Sequence, residues 1–124
     1  MEFDHERLEV YKVSLDFLVF AERLLNAFPR GRGYFADQLG RASLSIVLNV
    51  AEGAGKLSGA DKRRFYQTAR GSATESAALL DACQRVKLIT DADHRAGKEL
   101  LFRIVSMLVK LTRSFDAPLL PHKS

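Results

Sequence analysis

The chain has 124 residues but only one cysteine, three histidines and no tryptophan. Cys83 alone cannot form a disulfide within the chain. Cys83 and the scattered His5, His94 and His122 include no pair at the spacing of a structural zinc site, so we expect no metal or cofactor. The longest run without a charged residue covers 42–51, whereas a membrane-spanning helix needs about 20 apolar residues. These absences exclude disulfide-rich, zinc-stabilised and membrane-spanning classes.

The beginning of the chain is acidic, with Glu2, Asp4 and Glu6. A secretory signal peptide begins with basic residues instead, so we expect a cytoplasmic location and no membrane partner. Apolar residues make up 47% of the chain and charged residues 27%. This length and composition predict one soluble domain, spanning 1–124, with a core that forms without disulfides or metals.

Apolar residues recur at helical spacing in four segments that glycine, proline or capping residues separate. The predicted helices cover about 6–28, 34–53, 59–88 and 92–116, and a polar tail follows at 117–124. Ser58 with Asp61 and Thr90 with Asp93 have the capping-box spacing of helix starts. Because the connections are short, consecutive helices should be antiparallel. The sequence therefore predicts an all-α, up-down-up-down four-helix bundle.

The first predicted helix has two neighbouring rows of apolar residues, whereas a surface helix of a monomer usually has one stripe. We therefore expect part of this helix to contact a second copy of the chain. In the third helix, Gly71 costs about 1 kcal/mol relative to alanine, which predicts a close neighbouring backbone. The apolar and small-residue seam predicted on that helix consists of Phe65, Ala69, Ser72, Ser76, Leu79, Cys83 and Val86.

Motifs of catalysis are weak in this chain. The arginine that precedes a histidine in one class of helical ribonucleases is absent before His94 and His122. The segment 53–58 contains glycine, lysine and serine like a phosphate loop, but Val50 stands where the first glycine belongs and the segment follows a helix. The one Glu-x-x-His step, at 2–5, precedes the first helical pattern, which argues against a di-metal bundle. We predict a protein without catalytic residues.

Charge is unevenly distributed along the chain. The formal net charge is +4, yet residues 1–30 carry −2 and the remainder carries +6. Basic residues on the third and fourth helices form stripes, which are typical of phosphate-backbone contacts without base specificity and also of any solvated helix face. The candidate nucleic-acid-binding residues are Lys62, Arg63, Arg64, Arg70, Arg103, Lys110 and Arg113.

Other polar residues lie close to the predicted seam between the second and third helices. A buried polar group without a partner costs a few kcal/mol, so these side chains are expected to bond to one another across the two helices, unless they form a solvated face. The candidate structural network consists of Arg41, Asn49, Glu52, Arg70 and Glu75.

Several segments of the chain form a recognisable series, namely 8–12 (LEVYK), 28–29, 41–46 (RASLSI), 49–53 (NVAEG), Phe65, 69–72 (ARGS) and Glu75. In order and spacing, these segments resemble the four-helix-bundle proteins encoded in bacterial 23S rRNA intervening sequences. The resemblance implies a left-handed antiparallel bundle that assembles as a ring-like homopentamer, with no established catalytic residues. The fold is shared by accessory proteins of diversity-generating retroelements, which are basic pentamers that bind a reverse transcriptase and nucleic acid.

We therefore expect a non-enzymatic homo-oligomer that binds nucleic acid, RNA above all, as an accessory or scaffold protein. The alternative is a protein-binding adaptor, for example for a reverse transcriptase, without a direct role in nucleic-acid binding.

Overall fold

The structure, a computed structural model, describes residues 2–115. Its elements are a 3-10 helix at Asp4–Arg7 and four α-helices, α1 at Glu9–Asn26, α2 at Gly33–Gly55, α3 at Gly59–Arg85 and α4 at Asp91–Arg113. Residues 2–115 include no strand, so the prediction of an all-α fold is confirmed. The predicted polar tail, 117–124, lies outside the described residues.

Side-chain caps start α3 and α4, as their sequence spacing predicts. Ser58 Oγ accepts a hydrogen bond from the amide of Asp61 at 3.1 Å. Thr90 Oγ1 accepts one from the amide of Asp93 at 3.0 Å. The two carboxylates bind elsewhere, since Asp61 pairs with a basic side chain of its own helix and Asp93 pairs with Arg23 of α1 at 2.9 Å. The serine and threonine thus satisfy amides of the first turn that would otherwise have no partner.

Three helix ends differ from the sequence prediction by three residues, and four others differ by one or two. The first helix was expected from residue 6, but the extended backbone of Leu8 (φ −78°, ψ 128°) separates the 3-10 turn from α1. The third was expected to reach 88, but α3 ends at Arg85 because Lys87 has a left-handed φ of 63°, which a continuing helix excludes. The fourth was expected to reach 116, but α4 ends at Arg113.

Each helix packs against two of the other three. α1 contacts α2 and α4, and α3 contacts the same two helices. Within residues 2–115, no Cα atom of α1 lies within 8 Å of one in α3, and none of α2 lies within 8 Å of one in α4. The helices therefore form a four-sided bundle in which the side made by α1 and α2 is opposite the side made by α3 and α4.

The core is built from all four helices. Fully buried large side chains include Phe17, Leu39, Ile46, Tyr66, Leu80, Leu101, Ile104 and Leu108. On α3 the predicted seam is correct at its centre, where Ser72 and Ser76 are buried, but Phe65 is only partly buried and Val86 is 43% exposed. Side chains at a strict seven-residue spacing rotate by about 20° per heptad around the axis of a straight helix. Over the three heptads of the predicted seam, this rotation turns the residues at its two ends away from the core.

Close helix approach occurs at glycines other than the predicted one. Gly71 is exposed, and a β-carbon there would have nothing within 4 Å, so the expectation of a close backbone at Gly71 is wrong. At Gly97 of α4, a β-carbon would lie 2.5 Å from Leu80 Cδ1 and 2.7 Å from Phe20 Cε2. Absence of a side chain at Gly97 therefore lets α4 pack closely against α3 and α1.

Candidate nucleic-acid interface

A short polar contact joins α2 to α3. The hydroxyl oxygens of Ser45 and Ser72 are 2.7 Å apart, and one donates a hydrogen bond to the other. Asn49 Nδ2 donates to the backbone oxygen of Ser45 at 2.9 Å and to its hydroxyl oxygen at 3.1 Å. Ser72 is buried, while Ser45 and Asn49 are half-buried. Of the residues predicted to form a polar network, Asn49 bonds only to Ser45 of its own helix, and Ser45 makes the contact with α3.

The other four members of that predicted network lie at the surface. Arg41, Glu52, Arg70 and Glu75 are all exposed. Glu52 pairs with Lys56, the residue that follows α2, at 3.6 Å. Within the described part of the chain, no hydrogen bond or ion pair joins these side chains to Asn49. The helices α2 and α3 are close enough for the side chains of Ser45 and Ser72 to touch. This spacing leaves the long charged side chains outside the contact between the two helices.

Lys62 stabilises the carboxyl end of α2. Its Nζ donates to the backbone oxygen of Ala54 at 2.8 Å and lies 3.4 Å from that of Gly53. The last carbonyl groups of a helix have no partner within the helix and carry partial negative charge, which a lysine ammonium satisfies. The structure thus uses Lys62, predicted as a phosphate contact, as a partly buried cap.

Two cations lie beside the ring of Phe65 near the start of α3. Lys56 Nζ is 5.0 Å and Arg64 Cζ is 5.3 Å from the ring centroid, distances typical of cation–π contacts. Arg64 also pairs with Asp61 at 3.3 Å. Leu57, in the connection beside them, is completely exposed. Sequence reasoning missed Lys56 as a site residue because the glycines before it suggested only a helix end.

The end of α4 lies beside the start of α3. The ring of Phe115 is 6.0 Å from that of Tyr66, and Lys62 Nζ is 5.8 Å from the Phe115 ring centroid. Arg113, which is exposed and two positions before Phe115, therefore belongs to the same end of the bundle. We call this surface the basic end; its residues are Lys56, Lys62, Arg63, Arg64 and Arg113.

The remaining basic residues predicted to contact phosphate are Arg70, Arg103 and Lys110. Arg103 of α4 is 3.8 Å from the carboxylate of Glu9. Lys110 lines a cleft of about 350 Å³ between α1 and α4, which Glu9 also lines. Arg70 is exposed near the middle of α3. The acidic residue at the start of α1 thus pairs with one of these three cations and lines a cleft with a second.

A second polar cluster joins α3 to α4. His94 Nε2 and Lys98 Nζ each lie 2.7 Å from Oδ1 of Asp81. Hydrogen bonds from Lys98 and then from His94 hold the pKa of the Asp81 carboxyl below its usual value. Burial raises the pKa of the nearby Cys83 thiol, which favours its unreactive protonated form. The cluster contains ion pairs and a histidine, but no activated nucleophile.

Residues 2–115 contain neither a metal-binding cluster nor a membrane-spanning helix. No group of three or more His, Cys, Asp or Glu side chains is placed to bind a metal ion. None of the helices combines the length and apolar character needed to cross a membrane.

Comparison with known proteins places the chain in a family. A family model described as 23S rRNA-intervening sequence protein matches residues 6–110. The chain belongs to this family. The resemblance based on the segments from 8–12 to Glu75 is thereby confirmed. The match to the 23S rRNA-intervening sequence protein family includes four of the five residues of the basic end and stops before Arg113.

A solved structure has the same fold. It is a protein with unknown function from the S23 ribosomal protein family of Bacteroides thetaiotaomicron, with a TM-score of 0.79 and 23% sequence identity. The similarity covers 84% of this chain and 95% of that chain. A search of curated proteins finds no match.

Proposed function

We propose that this protein is a non-enzymatic, cytoplasmic homo-oligomer that binds RNA or DNA through its basic end, as an accessory or scaffold in a process that involves RNA. The observation that carries this proposal is the position of Lys56 and Arg64 against the ring of Phe65. Lysine and arginine neutralise phosphates, and aromatic rings stack on the bases of single strands. A partly exposed phenylalanine with two neighbouring cations offers both contacts.

The helices of the proposed bundle run up-down-up-down. Arg23, near the end of α1, pairs with Asp93 at the start of α4. Glu9, the first residue of α1, is paired with Arg103 in the second half of α4. These contacts and the short connections support antiparallel neighbours. In this arrangement the carboxyl ends of α2 and α4 lie beside the amino end of α3, which gathers the basic end from three helices.

The proposed assembly is a ring of five copies, as the family resemblance implies. The formal charge of one chain is +4, so five copies carry a total charge of +20. Charge concentrated on one surface raises the local concentration of a phosphate polymer and accelerates association. A ring would therefore bind nucleic acid more strongly than the charge of one chain suggests.

Fluorescence anisotropy of a labelled single-stranded RNA and a labelled RNA hairpin tests the proposal over a range of salt concentrations. The double variant Lys56→Glu, Arg64→Glu reverses charge at the basic end. Its matched control, Arg85→Glu with Lys87→Glu, makes the same charge change at exposed positions at the other end of α3.

Affinity of the wild-type protein should fall linearly with salt on logarithmic axes. The slope should become shallower by about one for each phosphate contact that the basic-end variant loses, while the control keeps most of its affinity. Equal losses in the two variants would contradict a role for the basic end. Failure of the wild-type protein to bind either RNA at low salt would overturn the proposal and favour the adaptor alternative.

A further inference from the structure

An apolar groove lies between α3 and α4. Its volume is about 660 Å³, and its walls include Leu101, Phe102 and Val105 of α4 and the small Ala73 and Ala77 of α3. Phe102 is 74% exposed although it is a large aromatic residue. An exposed aromatic side chain beside a groove lined by aliphatic residues is typical of a surface that another protein covers.

The rim of this groove is mainly basic. Arg95, Lys98 and Arg103 line it together with a single acidic residue, Glu99. Lys98 is bound to Asp81 and Arg103 is near Glu9, whereas Arg95 is exposed and makes no ion pair within the described residues. The surface that fits this groove should therefore be apolar along its centre and acidic where it meets Arg95.

The side of the bundle made by α1 and α2, opposite the groove, has an apolar centre and acidic residues at one end. On α1 and α2, four aliphatic side chains are exposed, Leu15 by 36%, Val19 by 70%, Leu44 by 44% and Leu48 by 53%. They extend the second apolar rows of the two helices, which the interior of one protomer does not cover.

Acidic residues flank this apolar surface at one end of the bundle. Glu22 near the end of α1 and Asp37 near the start of α2 are both exposed. This end of α1 lies beside the start of α4, because Arg23 contacts Asp93. Glu22 and Asp37 are therefore at the same end of the bundle as Arg95, two positions after Asp93.

We infer that the α1/α2 side of one copy docks in the α3/α4 groove of a second copy, head to tail. The inference rests on the homo-oligomer proposed above and names its contact surfaces. When the bundles lie side by side in the same direction, Leu44 and Leu48 meet Phe102, and Glu22 and Asp37 face Arg95. Two different surfaces of one chain form a repeating contact, which closes into a ring when each copy is rotated relative to the next by a fraction of a full turn.

Two single substitutions at exposed positions test these surfaces. Phe102→Asp places a charge in the groove and leaves the α1/α2 side intact, and Leu48→Asp does the reverse. Leu57→Asp is the control, because Leu57 is completely exposed and belongs to neither surface. Multi-angle light scattering measures the mass of each protein, and circular dichroism checks that the helices are retained.

The wild-type protein and Leu57→Asp should be oligomers, whereas each of the other variants alone should be a monomer. An equimolar mixture of Phe102→Asp and Leu48→Asp should form a heterodimer, since each variant supplies the surface that the other lacks. Monomeric variants that do not combine would overturn the head-to-tail contact. Oligomers of unchanged size in both variants would overturn the inference but not the proposed function, whereas a monomeric wild-type protein would overturn the inference and the proposed ring.

Discussion

Gly53 of α2 lies against the ring of Tyr66 of α3. A β-carbon at position 53 would stand 2.7 Å from Cε1 and 2.9 Å from Cδ1 of that ring, and 3.2 Å from Cβ of Phe65. Tyr66 is only 2% exposed, so its ring has little space in which to move. Burial also raises the pKa of its hydroxyl above the usual value, because it disfavours the charged form.

We expect Gly53→Ala to lower the free energy of unfolding, because the added methyl group overpacks the contact at a cost of about 1–3 kcal/mol. The better helix propensity of alanine offsets at most about 1 kcal/mol of this packing cost. Gly71→Ala is the control: it adds the same methyl group where there is open space, so stability should rise by up to about 1 kcal/mol. Urea denaturation measures both values, and a Gly53→Ala variant as stable as Gly71→Ala would contradict the close packing.

The hydrogen bond between Ser45 and Ser72 should couple α2 to α3. Ser72→Ala should destabilise the protein by about 1 kcal/mol, since it removes this bond from a buried site. Adding Ser72→Ala to a Ser45→Ala background should cost less, because the bond is already absent. A double-mutant cycle from denaturation curves measures the coupling. Ser106→Ala, at an exposed position of α4, should have almost no effect, and additive costs at Ser45 and Ser72 would argue against the bond.

Replacement of Lys62 should reduce the stability of the protein, because it removes the cap at the carboxyl end of α2. Lys62→Met keeps most of the aliphatic stem but removes the donor to the oxygen of Ala54, at an expected cost of about 0.5–1.5 kcal/mol. Lys12→Met makes the same chemical change at an exposed site of α1 and should leave stability nearly unchanged. Thermal unfolding compares the two. Equal melting temperatures would indicate that Lys62 serves as a surface charge rather than as a cap.

The Asp81 cluster should make a small, pH-dependent contribution to stability. Since Lys98 and His94 lower the folded-state pKa of Asp81, this contribution is fully present above the unfolded pKa of about 4 and is lost as pH falls through the lowered folded pKa. Asp81→Asn should therefore cost a few tenths to about 1 kcal/mol at neutral pH, because the pair is largely exposed.

The measurement is denaturation at several pH values, with Asp16→Asn as the control at an exposed carboxylate. The Asp81→Asn difference should shrink as the solution becomes strongly acidic. A difference that persists unchanged at low pH would contradict the ionic origin of the effect.

Local patterns of the chain predict most of the secondary structure. The caps at Ser58 and Thr90 depend on residues three positions away, so their spacing in sequence is enough to locate them. The end of α3 at Arg85 was not predictable from the apolar pattern, because that pattern continues to 88 while the backbone turns at Lys87.

The candidate site was predictable only in part. Composition and helical spacing locate basic residues on α3, but not their partners. The hydrogen bond from Lys62 to Ala54 depends on how α2 and α3 are rotated against each other. The contacts of Lys56 and Arg64 with the ring of Phe65 depend on the same rotation. The same rotation places Ser45 against Ser72 and leaves the longer charged residues outside.

Four helices, their approximate limits and the family follow from the order of residues along the chain, because helix formation and capping depend on near neighbours. The side of each helix that remains uncovered follows from the packing of the bundle. Leu48 and Phe102 have the periodicity of core residues, yet they are exposed, since a helix with two neighbours buries only part of its circumference. The packing of distant helices, and not the apolar pattern, leaves these two surfaces on opposite sides of the protein.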